Sequence, residues 1–378
     1  MNFSHESQEN SIQDRIDSAL EILKNNIWVN RNFDLSTLKF IGKGSFGFVF
    51  SIFHRNFKRQ IALKIITSQK EELNQVIEEL IKMKTLKHPN ILEILDFRII
   101  IHGKTLFLLL VMEEGLMSMA KYLEDNPKGL LEKELCEITE VLTSAIIYAH
   151  QQRIVHCDLK PGNIILFQKD IKVNKSESLY CVKIADWGSG YEFKEYNNSK
   201  AMSVKSGMAF TSLYLAPDLH IFEEGEEKVG KGNFFAGDIY ALGITLLRCV
   251  GIKMKDLGGL SGEQDEEIYE IKLKKIMNQL NASEISPETL NKIEKMIKYN
   301  SNDRVVPLGN KLSLRTFPPF IIFHRDTEAS NILKEAREKK LEDDINQIKI
   351  KYGLIFLYTF IHSFSEGIDE KIDRLKKK

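Results

Sequence analysis

Around Glu113-Glu114-Gly115 the hydrophobic period of this chain changes, and the change limits the folds open to it. Before it, from Leu38 to Ile66 and again to Met112, apolar residues come in short runs rich in Val, Ile and Phe. Glycines and a polar turn near Arg55 to Gln60 break those runs, the pattern of successive antiparallel strands. One segment there is helical in period: Glu71 to Leu86 sets Leu73, Val76, Ile77, Leu80, Ile81 and Met83 on one side, and His88-Pro89-Asn90 stops it. Strands are expected again at Ile91 to Ile100 and Thr105 to Met112, and from Met117 onward most elements read as helices.

Composition narrows the classes further. With 378 residues, 43% apolar and 28% charged, the chain has the usual mixture of a folded protein rather than of a disordered one. Lys plus Arg (53) balances Asp plus Glu (53), so no whole-protein field gathers nucleic acid, and no nucleic-acid partner is expected. The apolar stretches Leu106 to Met112 and Gly353 to Ile361 fall short of the roughly 18 to 20 residues that cross a bilayer. The opening Met1-Asn2-Phe3-Ser4-His5-Glu6 has no secretory layout, and Asn2 stands where myristoylation needs a glycine, so an intracellular, most readily cytoplasmic, location is the expectation. Cys136, Cys157, Cys181 and Cys249 are scattered without a C-x-x-C pair and read mostly as buried small residues.

Several segments lie outside this frame. Ile12, Ile16, Leu20, Leu23 and Ile27 recur at helical spacing, predicting an amphipathic helix that packs on the domain C-terminal to it. Lys169 to Ser178 and Glu223 to Gly232 read as solvated surface loops. Beyond Val306 comes an extension, strongly charged from Lys334 to Asp344 and apolar again from Ile348 to Phe364.

Four segments carry chemistry. Ile41-Gly42-Lys43-Gly44-Ser45-Phe46-Gly47-Phe48-Val49 lies between strand-like runs, so its glycines let backbone amides approach a polyphosphate. A dinucleotide fold would place a helix directly after them; here Phe48-Val49-Phe50 continues as a strand, predicting a phosphate-covering hairpin. Lys64 interrupts the apolar strand Ile61-Ala62-Leu63-Lys64-Ile65, where an ammonium needs an anion, and Glu79 on the next helix is a natural counter-ion. His156-Cys157-Asp158-Leu159-Lys160-Pro161-Gly162-Asn163 then offers on one loop a carboxylate to orient a hydroxyl, an ammonium to neutralise a phosphoryl group, and an amide oxygen suited to Mg²⁺. Ile184-Ala185-Asp186-Trp187-Gly188 adds a second carboxylate; Asp186 with Asn163 is the candidate metal pair, as phosphoryl transfer requires.

Glycine-rich loop, Lys64, Glu79, the Asp158 loop and the Asp186 loop, in this order, resemble a eukaryotic protein kinase of the serine/threonine type, with His-Cys-Asp in place of His-Arg-Asp. The resemblance implies an α+β, bilobal fold: a small antiparallel-sheet N-lobe with one helix, a larger mainly helical C-lobe, and ATP with Mg²⁺ between them. It divides the chain into an N-terminal helical extension (1–32), a kinase domain (33–306, with N-lobe 33–112, hinge 113–115 and C-lobe 116–306) and a C-terminal extension (307–378). Asp158, Lys160, Asn163, Lys64 and Glu79 would be catalytic. The nucleotide would meet Ile41, Gly42, Gly44, Gly47, Val49, Ala62, Lys64, Met112, Glu113, Gly115, Ile165 and Asp186, with Met112 guarding the back of the pocket and Ile165 supporting adenine from below. Thr211-x-x-Tyr214-x-Ala216-Pro217-Asp218 resembles the end of an activation segment, Asp238 to Gly243 the central C-lobe helix, and Arg304 the closing arginine. A stacked spine of Met83, Ile94, His156 and Trp187 is implied.

Four departures qualify the resemblance. Cys157 removes the cation that reads a phosphorylated activation loop, so a phospho-switch through it is not expected, and Ser203, Ser206 and Thr211 read as ordinary loop hydroxyls. Trp187 replaces the commoner Phe and is expected to favour an in-facing arrangement. Asp218 stands for the usual Glu, shortening the reach to Arg304. Gly162 removes an acid that selects basic substrates. The expected partners are ATP and a protein substrate, with docking partners through the terminal helices. Alternatives are an ATP-binding pseudokinase or signalling scaffold and, against the activation segment, a small-molecule kinase.

Overall fold

The computed structural model describes residues 16, 17, 20, 21, 23–44, 47–69, 72–168, 180–189, 191–192, 211–223, 226–229, 233–260, 262–280 and 285–305. Ser203, Ser206, the insertion at 169–178, the Ser45-Phe46 tip and the extension 307–378 lie outside the described residues.

Strands β1 (Phe33–Gly44), β2 (Gly47–His54), β3 (Arg59–Gln69), β4 (Ile94–His102) and β5 (Thr105–Glu113) form one antiparallel sheet in the order β1-β2-β3-β5-β4. The run Leu106 to Val111 is continuously apolar because both faces of β5 are covered, and successive side chains point to opposite faces. Phe107, Leu109 and Val111 join Phe48, Phe50, Ile52, Ile61, Leu63 and Ile65 on one side. Leu106, Leu108 and Leu110 meet Val76 and Leu80 of α2 (Leu73–Thr85) on the other.

Two boundaries differ from the sequence expectation. The strand expected at Ile91 begins at Ile94, because the preceding backbone is claimed elsewhere. Ile91 bridges Ile184, Leu92 N–H donates to Ile184 O at 2.8 Å, and Ile184 N–H donates to Asn90 O at 2.8 Å. Near the N-terminus, Ile16, Leu23 and Val29 pack against the sheet as expected. The predicted helix, however, gives way at Asn26, whose side chain accepts Val29 N–H and caps a separate helix, α1 (Ile27–Asn32), leaving Ile27 exposed.

The second lobe is mainly helical: α3 (Met119–Asp125), α4 (Glu132–Gln151), α5 (Phe234–Cys249), α6 (Met254–Leu257), α7 (Glu266–Leu280) and α8 (Pro287–Met296) share one apolar core. Helix α5 is buried around nearly its whole circumference, which is why its sequence is apolar with little periodicity. Short strands line the side facing the sheet. β6 (Met117–Ser118), β8 (Ile164–Gln168) and β9 (Tyr180–Ile184) form one ribbon in the order β6-β8-β9, and β7 (Ile154–Val155) pairs with β10 (Tyr191–Glu192). The charged segment expected to be a loop after Glu223 is in part a hairpin, β11 (His220–Glu223) with β12 (Glu226–Val229). The architecture is the expected α+β arrangement of a small sheet lobe and a larger helical one.

Candidate active site

The loop after β7 is built around a buried carboxylate on another helix. Asp238 of α5 is 2% exposed and accepts the backbone N–H of His156 through Oδ2 at 2.7 Å and that of Cys157 through Oδ1 at 3.0 Å, while His150 of α4 meets Oδ2 at 2.9 Å. Anchored so, the loop turns sharply, with Cys157 at φ 66°. The His156 ring takes Asp158 N–H on Nδ1 at 3.2 Å, so Nε2 carries the proton and donates to Ala185 O at 2.9 Å. Ala185 N–H in turn donates to Asn163 O at 2.8 Å. The residue before Asp186 is thereby gripped from both sides by the Asp158 loop.

Within that frame the polar groups converge. Lys160 Nζ lies 2.7 Å from Asp158 Oδ2 and 2.7 Å from Thr211 Oγ1, and Thr211 donates to Asp158 Oδ1 at 2.8 Å. Asn163 Nδ2 donates to Asp158 O at 2.8 Å and to Oδ2 at 3.3 Å. These bonds occupy the amide nitrogen, so Oδ1 is the end of Asn163 that a cation would meet. Asp186, at φ 63°, presents its carboxylate to Lys64 Nζ at 2.5 Å, both side chains being at least nine-tenths buried. Hard oxygen donors from one carboxylate and one amide suit Mg²⁺, which commonly takes its remaining ligands from water and phosphate. Among the described residues no group of three or more His, Cys, Asp or Glu is placed to hold a metal ion.

The sheet lobe supplies the opposite wall. Val49 pairs with Lys64, Ala62 with Met112, and Met112 with Ile94, so these side chains occupy neighbouring positions across β2, β3, β5 and β4. Gly42 pairs with Val49 and Gly44 with Gly47, closing the hairpin whose tip is Ser45-Phe46. At Gly47 a Cβ would stand 2.1 Å from Ile65 O, so β2 can lie on β3 there only without a side chain. Ile41 is 45% exposed. Glu79 is carried by α2, but its side chain lies outside the described residues, and so does any test of its pairing with Lys64.

The lobes meet through the residues after β5. At Gly115 a Cβ would lie 2.2 Å from Ile165 Cγ2 and 2.9 Å from Leu166 O, while Leu116 N–H donates to Leu166 O at 2.8 Å, so this segment lies flat on β8. Trp187 faces inward, 5% exposed, with its ring 4.7 Å from that of His156. Met83 packs against both the helical-lobe core, which contains Trp187, and the cluster holding Ile94. Arg304, its side chain wholly buried, still reaches the shorter Asp218 and also donates to Lys298 O, Tyr299 O and Ala236 O.

Sequence reasoning missed two residues and misjudged others. Thr211 passed as an ordinary loop hydroxyl, yet it touches both Asp158 and Lys160. Asp238 was read only as part of a helix; a lone carboxylate inside the run Phe234 to Leu247 carries the same signal as Lys64 in its strand, a charge that must find partners. Of the cysteines only Cys249 is buried, its thiol pushed up to about 12 by desolvation. Cys157 and Cys181 are intermediate, and Cys136 of α4 is exposed, 3.6 Å from Thr289 Oγ1.

The sequence profile of the protein kinase domain matches residues 35–308. Similar curated proteins include calcium-dependent protein kinase 5 of Plasmodium berghei (strain Anka), 26% identical over 84% of this chain and 51% of that protein. The serine/threonine-protein kinase fused of Drosophila melanogaster is 30% identical over 47% of this chain and 20% of its own length. The serine/threonine-protein kinase TAO3 of Xenopus laevis is 29% identical over 55% and 20%. The chain thus spans between about a fifth and a half of these relatives' lengths.

Proposed function

We propose that this chain, which belongs to the protein kinase domain family, transfers the γ-phosphoryl group of ATP to serine or threonine hydroxyls of a protein. What supports the reading is one observation above the rest: Asp158, Lys160, Asn163 and Thr211 form a bonded cluster, tied through Ala185 to the Asp186–Lys64 pair. The substrate hydroxyl oxygen attacks the γ-phosphorus in line, the bond to the β,γ-bridging oxygen breaks, ADP leaves, and the hydroxyl proton passes to Asp158. Lys160 balances charge on the transferring group and Lys64 on the remaining phosphates, with Glu79 as the support of Lys64. Asn163 and Asp186 would hold Mg²⁺, which when bound neutralises phosphate oxygens.

The nucleotide is assigned to the space between Ile41, Gly42, Gly44, Gly47, Val49 and Ala62 above and Ile165 below, with Met112 behind and Glu113 to Gly115 at its edge. The serine/threonine preference rests on Lys160, and the two catalytic-loop contacts of Thr211 accord with it. Residues 33–306 are taken as the catalytic unit, with 1–32 and 307–378 as extensions available for docking partners.

The test is Mg-ATP-dependent phosphate incorporation by the purified chain, into itself and into a mixed Ser/Thr/Tyr peptide library, beside Asp186→Asn. Incorporation on Ser or Thr that disappears in the variant is the expected result. Wild type as silent as the variant while still binding ATP would replace the reading with that of a nucleotide-binding scaffold.

A further inference from the structure

Two consecutive acids at the lobe junction reach in different directions. Glu113, the last residue of β5, is paired in register with Ile61 of β3 and so belongs to the sheet lobe, yet its carboxylate forms an ion pair with Lys183 of β9, in the helical lobe. Glu114 turns the other way: its Oε2 accepts Ser51 Oγ of β2 at 2.7 Å. Lys183 sits opposite Ile165 in the β8–β9 register, so the two side chains leave the same face of that ribbon, and its ammonium stands 5.1 Å from the centre of the Phe167 ring. Ile165 is also the residue against which Gly115 lies. The junction is therefore held by side chains on both sides, to the sheet through Ser51 and to the ribbon through Lys183.

We propose that the Glu113–Lys183 pair is an interlobe strut, braced by the Ser51–Glu114 bond, and that Lys183 and Ser51 are positioning residues that set how long a nucleotide stays in the cleft. This rests on the kinase reading given above. A nucleotide leaves such a site when the lobes part, and parting requires the segment from Glu113 to Leu116 to move off β8. The pair opposes that movement at its pivot. At 20% and 27% side-chain exposure its members are shielded enough for the attraction to outweigh what two solvated side chains would give. A second interlobe ion pair among the described residues, Lys64–Asp186, is made of groups assigned to phosphate and metal. Lys183 is assigned to neither, so its contribution is mechanical and separable from the chemistry.

The test compares wild type, Lys183→Met, Lys183→Arg, Phe167→Leu and Ser51→Ala in the full chain. One readout is dissociation of a fluorescent ADP analogue by stopped flow; the other is hydrogen exchange of the Leu116 amide without nucleotide, which reports the bond to Leu166 O directly. Lys183→Met is expected to release the analogue about fivefold faster, to raise KM for ATP more than it changes kcat, and to speed Leu116 exchange by a similar factor. Ser51→Ala moves the same quantities by about twofold, while Lys183→Arg, which keeps the charge, and Phe167→Leu, which keeps the ion pair, release the analogue within about twofold of wild type. Unchanged release and unchanged exchange in Lys183→Met overturn the strut. Release in Phe167→Leu as fast as in Lys183→Met also overturns it, since the loss then belongs to the contact with Phe167. If wild type binds no nucleotide while Lys183→Met still speeds Leu116 exchange, the strut stands and the kinase reading falls.

Discussion

Asp238 Oδ1 accepts the backbone N–H of Cys157 at 3.0 Å, so a carboxylate inside α5 fixes the residue that precedes Asp158. Cys157 is in a left-handed conformation, φ 66°, that non-glycine residues adopt only at a cost. The bond offsets that cost and leaves Asp158 aimed at Thr211 and Lys160. Removing the carboxylate takes away the acceptor of the His156 and Cys157 backbone N–H groups and the His150 contact. Asp238→Ala is expected to lower stability by about 3 kcal/mol, read from the urea midpoint. A midpoint within error of wild type would mean that the loop keeps its shape without the anchor.

Thr211 touches both oxygen-bearing and cationic members of the cluster, at 2.8 Å to Asp158 Oδ1 and 2.7 Å from Lys160 Nζ. Thr211→Val keeps the shape and loses both bonds, so kcat is expected to fall about tenfold or more while the melting temperature barely moves. Thr211→Ser restores most of the rate. If the valine variant were as active as the serine one, the hydroxyl would have no part in placing Asp158.

Gly115 has no room for a methyl group: the nearest atom, Ile165 Cγ2, would be 2.2 Å away and Leu166 O 2.9 Å. Gly115→Ala must lift the junction off β8, costing about 1 to 3 kcal/mol and weakening nucleotide affinity. Trimming the obstacle with Ile165→Ala in the same chain is expected to recover part of the affinity, although Leu166 O still crowds the site. Calorimetric titration with an ATP analogue measures both, and equal affinity in wild type and Gly115→Ala would refute the close contact.

His54, 2% exposed at the end of β2, stacks on Phe57 and accepts Phe57 N–H on Nδ1, while its Nε2 has no partner among the described residues. Burial holds its pKa below the ordinary 6.5, against a smaller opposing pull from Asp96. With the folded pKa depressed, the unfolded chain binds the proton more readily, so stability is intact above about pH 6.5 and declines as pH falls below it. The melting temperature should therefore drop between about pH 7.5 and about pH 5.5, and drop less in His54→Phe. His88, also depressed by burial, keeps part of the slope in that variant. Identical pH slopes in the two proteins would remove His54 from the account.

Much of the fold was legible because a local rule spoke at each point. The runs of β1 to β5, the helical period of α2 and the breaker His88-Pro89-Asn90 each carry a pattern of neighbours in sequence. Where long-range bonds overrode the local pattern, the reading slipped. Ile91 has strand composition but gives its backbone to Ile184, and Ile27 continues an apolar period that the Asn26 cap interrupts. Candidate site residues were legible where a charge stood in apolar surroundings, as with Lys64, and invisible where the residue looked ordinary for its segment, as with Thr211.

The sequence by itself determined which groups are available: the glycines that allow close backbone approach, the ammonium in the third strand, and two aspartates and an asparagine on short loops. Those are properties of residue type and spacing, and they follow from sterics and the cost of burying charge. Only the tertiary structure decided which of them meet. Asp158 and Thr211 are 53 residues apart in sequence, Lys64 and Asp186 122, Ser51 and Glu114 63. Contacts at such separations depend on how the sheet and the helical core pack, and no spacing rule along the chain encodes them.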